Sequence, residues 1–466
     1  MGCVRVPKIA EYIADPLQAA LDDKDPYVRK TASLCVSKLF LISPDLVIDR
    51  QLLQKLKAQL EDKNPTVVVN ALISLKEIEM QSYGMNSTPA SQTSAVPVSL
   101  SAPVVTAWMN KIEAFSEWGM VTILDSVSAA IDRSDNVDLA KIKEKVLPLL
   151  NHSNAAVVFS SINLISRLVV KGGAETADVA PKMKAPLVTL LTADPDVQYI
   201  ALRSTPVLLS TVPSLRPLLA ASIRSFFIHY YDPPFVKTSK LALLLDLADS
   251  ENAHAVLDEL AEYCAEADVD FVITSVEAVG KLAVKVESNA SQCVAKLLAL
   301  VQGENVPRYV VQAVVLVMRD VTRRYPGMYE TTALTPLAES VENTGVDDGD
   351  ARAAWFFILG EHAHRMEGGD SLLETAIELF DEEGNAAKLA LLTAGVKQML
   401  VNPHGRTSSL VPELLRKVTG ESDNPDLRDR AYMYWRMIDA DPEFARYVHT
   451  PHKKWEITLH VTCWSE

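Results

Sequence analysis

Residues able to do chemistry are few in this chain and poorly grouped. His362 and His364 form an HxH pair, and paired imidazoles are common transition-metal ligands. On a helix, positions two apart point to different faces. A shared metal is therefore not expected, and a solvated or partly buried pair is. Asp268 and Asp270 could divide general acid and base roles. They stand where a helix begins, however, and there capping and the helix dipole account for carboxylates. Lys141, Lys143 and Lys145 make a short basic run that reads first as a solvated helix face and second as a contact for anionic lipid or an acidic partner. The five cysteines, Cys3, Cys35, Cys264, Cys293 and Cys463, are odd in number and scattered. Without CxxC or Cys/His ligand spacing they suggest neither a disulfide framework nor zinc, and a reducing compartment suits them best. Phosphate-cradling GxxxxGK(S/T), dinucleotide GxGxxG, GxSxG and HExxH patterns do not occur in the sequence. No catalytic, cofactor-binding or metal-binding residue is therefore assigned, and no enzymatic activity is expected.

The elements carrying these residues are helical by composition. Hydrophobic residues make up 48% of the 466, aromatics only 6%, and Gly occurs 17 times. Ala and Leu favour helices and Gly is costly inside one, whereas a twisted sheet usually carries more Gly turns and aromatics. The formal net charge of −15 repels nucleic acid and anionic lipid, so no nucleic-acid partner is expected and membrane contact would need a basic patch or a partner subunit. Met1-Gly2-Cys3-Val4-Arg5-Val6 is followed by no apolar run, so it reads as no signal peptide. Val6 stands where myristoylation wants Ser or Thr. No run of about 18 uncharged apolar residues occurs, so no membrane span is expected.

A short phrase recurs: an Asp- or Asn-containing turn, often with Pro, then a Val-rich amphipathic run. Full copies begin at Asp25, Asn64, Asn154, Asp194, Asp232, Asp268 and Asn305, and weaker ones at Asp350, Asn385 and Asn424. Most intervals are about 35 to 45 residues, the period of HEAT or armadillo repeats of two or three helices. Asp or Asn caps an orphan N–H, and Pro at the first helical position gives up no needed donor. Val28, Ala32, Cys35 and Leu39 then form one stripe, as do Leu241, Leu244, Leu245 and Ala248. One hairpin cannot hide such a stripe, but stacked neighbours can. The expected fold is all-α, an α-α superhelix of HEAT/armadillo-like repeats over residues 1–80 and 108–449. Residues 81–107, rich in Ser, Thr, Pro and Ala, read as a linker within the array, with the next helix starting near Trp108. Residues 450–466 read as a tail outside the repeat.

Several phrases go beyond the generic repeat. They include Asp25-Pro26-Tyr27-Val28-Arg29-Lys30-Thr31-Ala32, Glu117-Trp118-Gly119, and Asp196-Val197-Gln198-Tyr199-Ile200-Ala201-Leu202-Arg203. Tyr231-Asp232-Pro233-Pro234-Phe235-Val236-Lys237 and Ser422-Asp423-Asn424-Pro425-Asp426-Leu427-Arg428-Asp429-Arg430 continue the series. In this order, from Met1 to about Val448, they resemble the trunk of β-adaptins, the β-type large subunits of clathrin-associated adaptor complexes. The resemblance implies that about two repeats lie upstream of Met1 in family members. It also implies that the hinge with its clathrin box and the C-terminal ear lie downstream. The 81–107 connection is longer than in the family.

What the resemblance implies is a scaffold for cargo sorting and coat assembly in vesicle transport. Its partners would be another large adaptin, a medium and a small subunit, with clathrin engaged through hinge segments absent here. An Arf-family GTPase and phosphoinositide membrane would recruit the assembled complex. The location implied is cytoplasmic and peripheral, on clathrin-coated vesicles or pits, the trans-Golgi network, endosomes or the plasma membrane. Leu244-Leu245-Asp246-Leu247-Ala248 resembles a clathrin-box peptide, but it lies inside an amphipathic repeat helix and reads as core. The competing reading is another HEAT scaffold, such as a coatomer subunit, a phosphatase scaffold or a nuclear import receptor. Import receptors usually display ordered Trp/Asn ladders, and the six Trp here are irregularly placed.

Overall fold

The computed structural model describes residues 7–85, 100–133, 138–172, 179–303, 306–326, 328, 333–366, 368–440, 443 and 445. Among them are twenty-three α-helices and no strand, the all-α repeat class expected. The chain divides into two compact units, Met1–Phe226 and Phe227–Glu466.

The first unit holds α1 (Pro7–Leu21), α2 (Pro26–Ile42), α3 (Pro44–Asp49), α4 (Leu52–Gln59), α5 (Pro65–Met85) and α6 (Ala102–Asn110). It continues with α7 (Glu117–Arg133), α8 (Leu139–Val146), α9 (Ala155–Gly172), α10 (Ala180–Leu191), α11 (Pro195–Thr211) and α12 (Leu215–Ala220). Helices α2, α5, α7, α9 and α11 pack side by side in that order, and α1, α4, α8 and α10 cover α2, α5, α9 and α11.

The second unit holds α13 (Pro234–Leu247), α14 (Ala253–Tyr263), α15 (Val269–Lys285), α16 (Ala290–Val301), α17 (Arg308–Arg324) and α18 (Leu334–Thr344). It ends with α19 (Gly349–His362), α20 (Gly369–Glu378), α21 (Asn385–Val401), α22 (Thr407–Glu421) and α23 (Pro425–Ala440). Here α13, α15, α17, α19, α21 and α23 form the row, while α14, α16, α20 and α22 cover α15, α17, α21 and α23.

The recurring turn phrase starts row helices as its chemistry requires. Asp25 Oδ1 accepts from Tyr27 N at 2.9 Å, with Pro26 opening α2. Asn64, Asn154 and Asn424 accept from Thr66, Ala156 and Asp426 amides, each at 2.9 Å. Other copies depart from the expected cap. Asp194 makes no side-chain cap bond, and α13 and α21 have Pro233 and Gly384 at the cap in place of Asp232 and Asn385. Helix α19 is capped by Asp348, whose Oδ2 accepts from Ala351 N, with Asp350 inside the first turn. Asn305 lies outside the described residues.

The buried stripe of α2 is also rotated from the expected one. Val36, Leu39, Phe40 and Ala32 are in the core, whereas Val28 and Cys35 are only half-buried. Packing on both α1 and α5 pulls the apolar face toward the second contact. In α13, Leu241, Leu244 and Ala248 are core and Leu245 is half-buried.

Hydrogen bonds from one row helix to the preceding one recur at about the repeat period. Lys171 Nζ donates to Ile131 O. Lys285 Nζ donates to Leu245 O and Asp246 O at 2.8 and 2.7 Å. Tyr325 Oη donates to Ala283 O at 2.9 Å, and Gln398 Nε2 to Gly360 O at 3.0 Å. Each acceptor is among the last carbonyls of a helix, which have no partner within it. Stacking therefore satisfies helix ends as well as burying stripes. Gly360 lets α19 and α21 touch: a Cβ there would sit 2.7 Å from Ala394 Cα.

The expected linker over 81–107 is shorter than the composition suggested. Helix α5 runs through Met85 and α6 opens at Ala102, six residues before Trp108. Pro103 takes the first turn of α6, where Pro is tolerated, so the composition there marks a helix start. Residues 86–99, the N-terminal hexapeptide and the 450–466 tail lie outside the described residues.

Candidate functional site

His362, at the end of α19, is buried, and burial lowers its pKa, so the neutral ring is favoured. His364 is exposed, and its Nε2 accepts from Arg365 Nε at 3.0 Å. Among the described residues no group of three or more His, Cys, Asp or Glu is placed to hold a metal ion. Asp268 Oδ1 caps α15 through Asp270 N at 3.2 Å. Lys141 and Lys145 lie on the exposed face of α8, and Lys141 pairs with its N-cap Asp138 at 3.0 Å. Leu244 and Leu247 are core, so the segment like a clathrin box is not presented as a ligand.

Cys264 and Cys293 are buried free thiols, both pushed up to about 12 by desolvation; such thiols are inert structural cysteines. Helix α9 is long and apolar enough to cross a membrane by length and composition alone. It packs between α7 and α11, and its Arg167 is paired with Asp132 at 2.9 Å. The clefts are mainly apolar. One of about 560 Å³ is lined by Trp355, Phe356, Leu372 and Leu379, with Arg352 at its edge bonded to Glu383.

A connected set of buried polar bonds lies at a place the sequence alone marks only as an ordinary repeat start. Residues Phe227–Pro233 lead into α13 without helical structure. Lys240 Nζ, nearly fully buried, bonds Asp232 Oδ2 at 2.6 Å. The same carboxylate oxygen accepts from His229 N at 2.9 Å. Ile228 N donates to the buried Tyr263 Oη at 2.7 Å, and burial raises that phenol's pKa. Lys237 Nζ bonds Glu266 at 2.6 Å and lies over the Tyr230 and Phe271 rings. The sequence signal that would have found this loop is the doubled tyrosine before Asp232-Pro233-Pro234 in a chain poor in aromatics.

Comparison with known proteins agrees along the whole length of the array. Residues 1–442 match the family model described as the adaptin N terminal region. The chain is 40% identical over 451 residues to AP-1 complex subunit beta-1 of Mus musculus, an alignment covering 96% of this chain and 46% of that protein. It is 34% identical over 438 residues to AP-2 complex subunit beta of Schizosaccharomyces pombe, covering 93% and 61%. The chain thus spans about half the length of the curated relatives it matches. A chain in a homology model of the full-length AP-3 complex, in an intermediate open conformation, aligns with TM-score 0.60 at 17% identity. That alignment covers 94% of this chain and 77% of that one, and it shows likeness of fold.

Proposed function

This chain belongs to the adaptin family, and from that premise we propose that it is a scaffold trunk of a clathrin adaptor complex serving vesicle-mediated protein transport. The observation that carries the reading is the family match across residues 1–442, on a chain 40% identical to an AP-1 β subunit. Its work is to hold other chains in place; chemistry on a substrate is not part of it. The repeat rows suit this, because stacked hairpins offer long faces and flex against their neighbours.

The partners proposed are another large adaptin, a medium and a small subunit. Clathrin would be engaged by the assembled complex, and recruitment would run through an Arf-family GTPase and phosphoinositides acting on it. The location proposed is peripheral on the cytoplasmic side of coated vesicles and the membranes that form them. The acidic balance of −15 favours membrane contact through partners over contact by this chain alone.

Affinity purification of the tagged chain from its native cells, followed by mass spectrometry, tests the proposal. Recovery of one medium, one small and one other large adaptin supports it, and that large chain identifies the compartment. Recovery of coatomer subunits or import cargo in their place would contradict it.

A further inference from the structure

The loop before α13 is built to present two aromatic rings to solvent. Tyr230 is 90% exposed and Tyr231 80%, although large aromatics contribute most when buried. Beneath them lies the opposite: a buried Lys240–Asp232 pair, a buried Tyr263 hydroxyl and the Lys237–Glu266 pair. Removing an ion pair from water is costly, and specifying one conformation is a known use for such a pair. Here the conformation specified is that of the loop. Tyr231 is stacked on His229, with centroids 5.3 Å apart and planes 15° apart. Tyr230 lies against Lys237. Aromatic side chains held this way lose little entropy when a partner arrives.

The charge around the rings indicates the partner. Lys237 is tucked beneath Tyr230 and paired with Glu266, so its charge is largely spent. It also lies over Phe271, whose neighbours Asp268, Val269 and Asp270 are exposed at the start of α15. Phe235, the second residue of the adjacent α13, is exposed. Aromatic faces beside carboxylates match guanidinium groups, which stack on rings and fork onto carboxylates.

We propose that Tyr230, Tyr231 and Phe235, with Asp268 and Asp270, form a preorganised docking surface for an arginine-bearing, partly apolar segment of a partner protein. The inference stands on this geometry and does not depend on the adaptor reading.

The test is fluorescence polarisation with the whole purified chain and a fluorescein-labelled peptide of alternating arginine and leucine. A glutamate–leucine peptide is the control. Binding of the arginine peptide should weaken about tenfold or more in Tyr230→Ser/Tyr231→Ser, the loss expected at aromatic anchor positions. Asp268→Asn/Asp270→Asn should also weaken it, while Tyr12→Ser, an exposed tyrosine elsewhere, should leave it unchanged. Unchanged circular dichroism of the tyrosine variant shows that the fold is retained. No binding by the wild-type chain, equal binding of the glutamate peptide, or equal loss in Tyr12→Ser would overturn the proposal. Self-association of the chain that disappears in Tyr230→Ser/Tyr231→Ser would also overturn it, by making a second copy the occupant.

Discussion

Lys240 and Asp232 carry more than their share of the second unit's local order. Both side chains are almost wholly out of water and meet at 2.6 Å. Removing one partner strands the other charge in the core, so Lys240→Met should destabilise by about 3–5 kcal/mol. The double variant Lys240→Met/Asp232→Asn should recover most of that loss. Urea-unfolding midpoints read both, and a double variant no better than the single would contradict the pairing.

Arg29 and Asp62 form the comparable pair in the first unit, at 2.8 and 3.0 Å. Burial raises the Asp62 pKa, but the Arg29 hydrogen bond and charge with two backbone amides outweigh it and hold the carboxyl low. A lowered folded pKa gives stability that is present above the unfolded value, about 3.9, and lost as pH falls through the folded one. Asp62→Asn should therefore melt earlier than the wild type at pH 6, and the gap should close as the pH falls below the ordinary carboxylate range. A gap independent of pH would show that the charge contributes nothing. The sequence showed Arg29 and Asp62 only as residues flanking two repeat starts. That they pair depends on the stacking of α2 on α5, which no local pattern reveals.

At the scale of elements, the ends of α7, α13, α15 and α19 each receive a donor from the next row helix or its cap. Gln398 is fully buried and donates to the last carbonyls of α19, Leu359 O at 3.2 Å and Gly360 O at 3.0 Å. Gln398→Ala leaves those acceptors without this donor and should cost about 1–3 kcal/mol. Amide exchange should speed up at the C-terminal turn of α19 more than within α23, and uniform acceleration would contradict a local role. Turn chemistry made the helix starts legible, because Asp or Asn before Pro acts within a few residues of itself. Helix ends were not legible, because their satisfying donors come from about one repeat away. The same limit explains the rotated α2 stripe and the α6 start at Ala102, where Ser and Pro read as linker.

For the whole molecule, repeat period and ordered phrases between them made fold and family readable before any coordinates. The doubled tyrosine marks the docking loop in the sequence, but what holds it was not readable there, since that depends on a buried lysine eight residues onward and a hydroxyl from α14. The central claim concerns assembly. The most direct test is co-expression of this chain with the large, medium and small adaptor subunits of its own cells, followed by size-exclusion chromatography. Co-elution of all four at one-to-one stoichiometry is the predicted result. Elution of this chain alone, while a full-length β subunit assembles with the same three partners under the same conditions, would contradict the account.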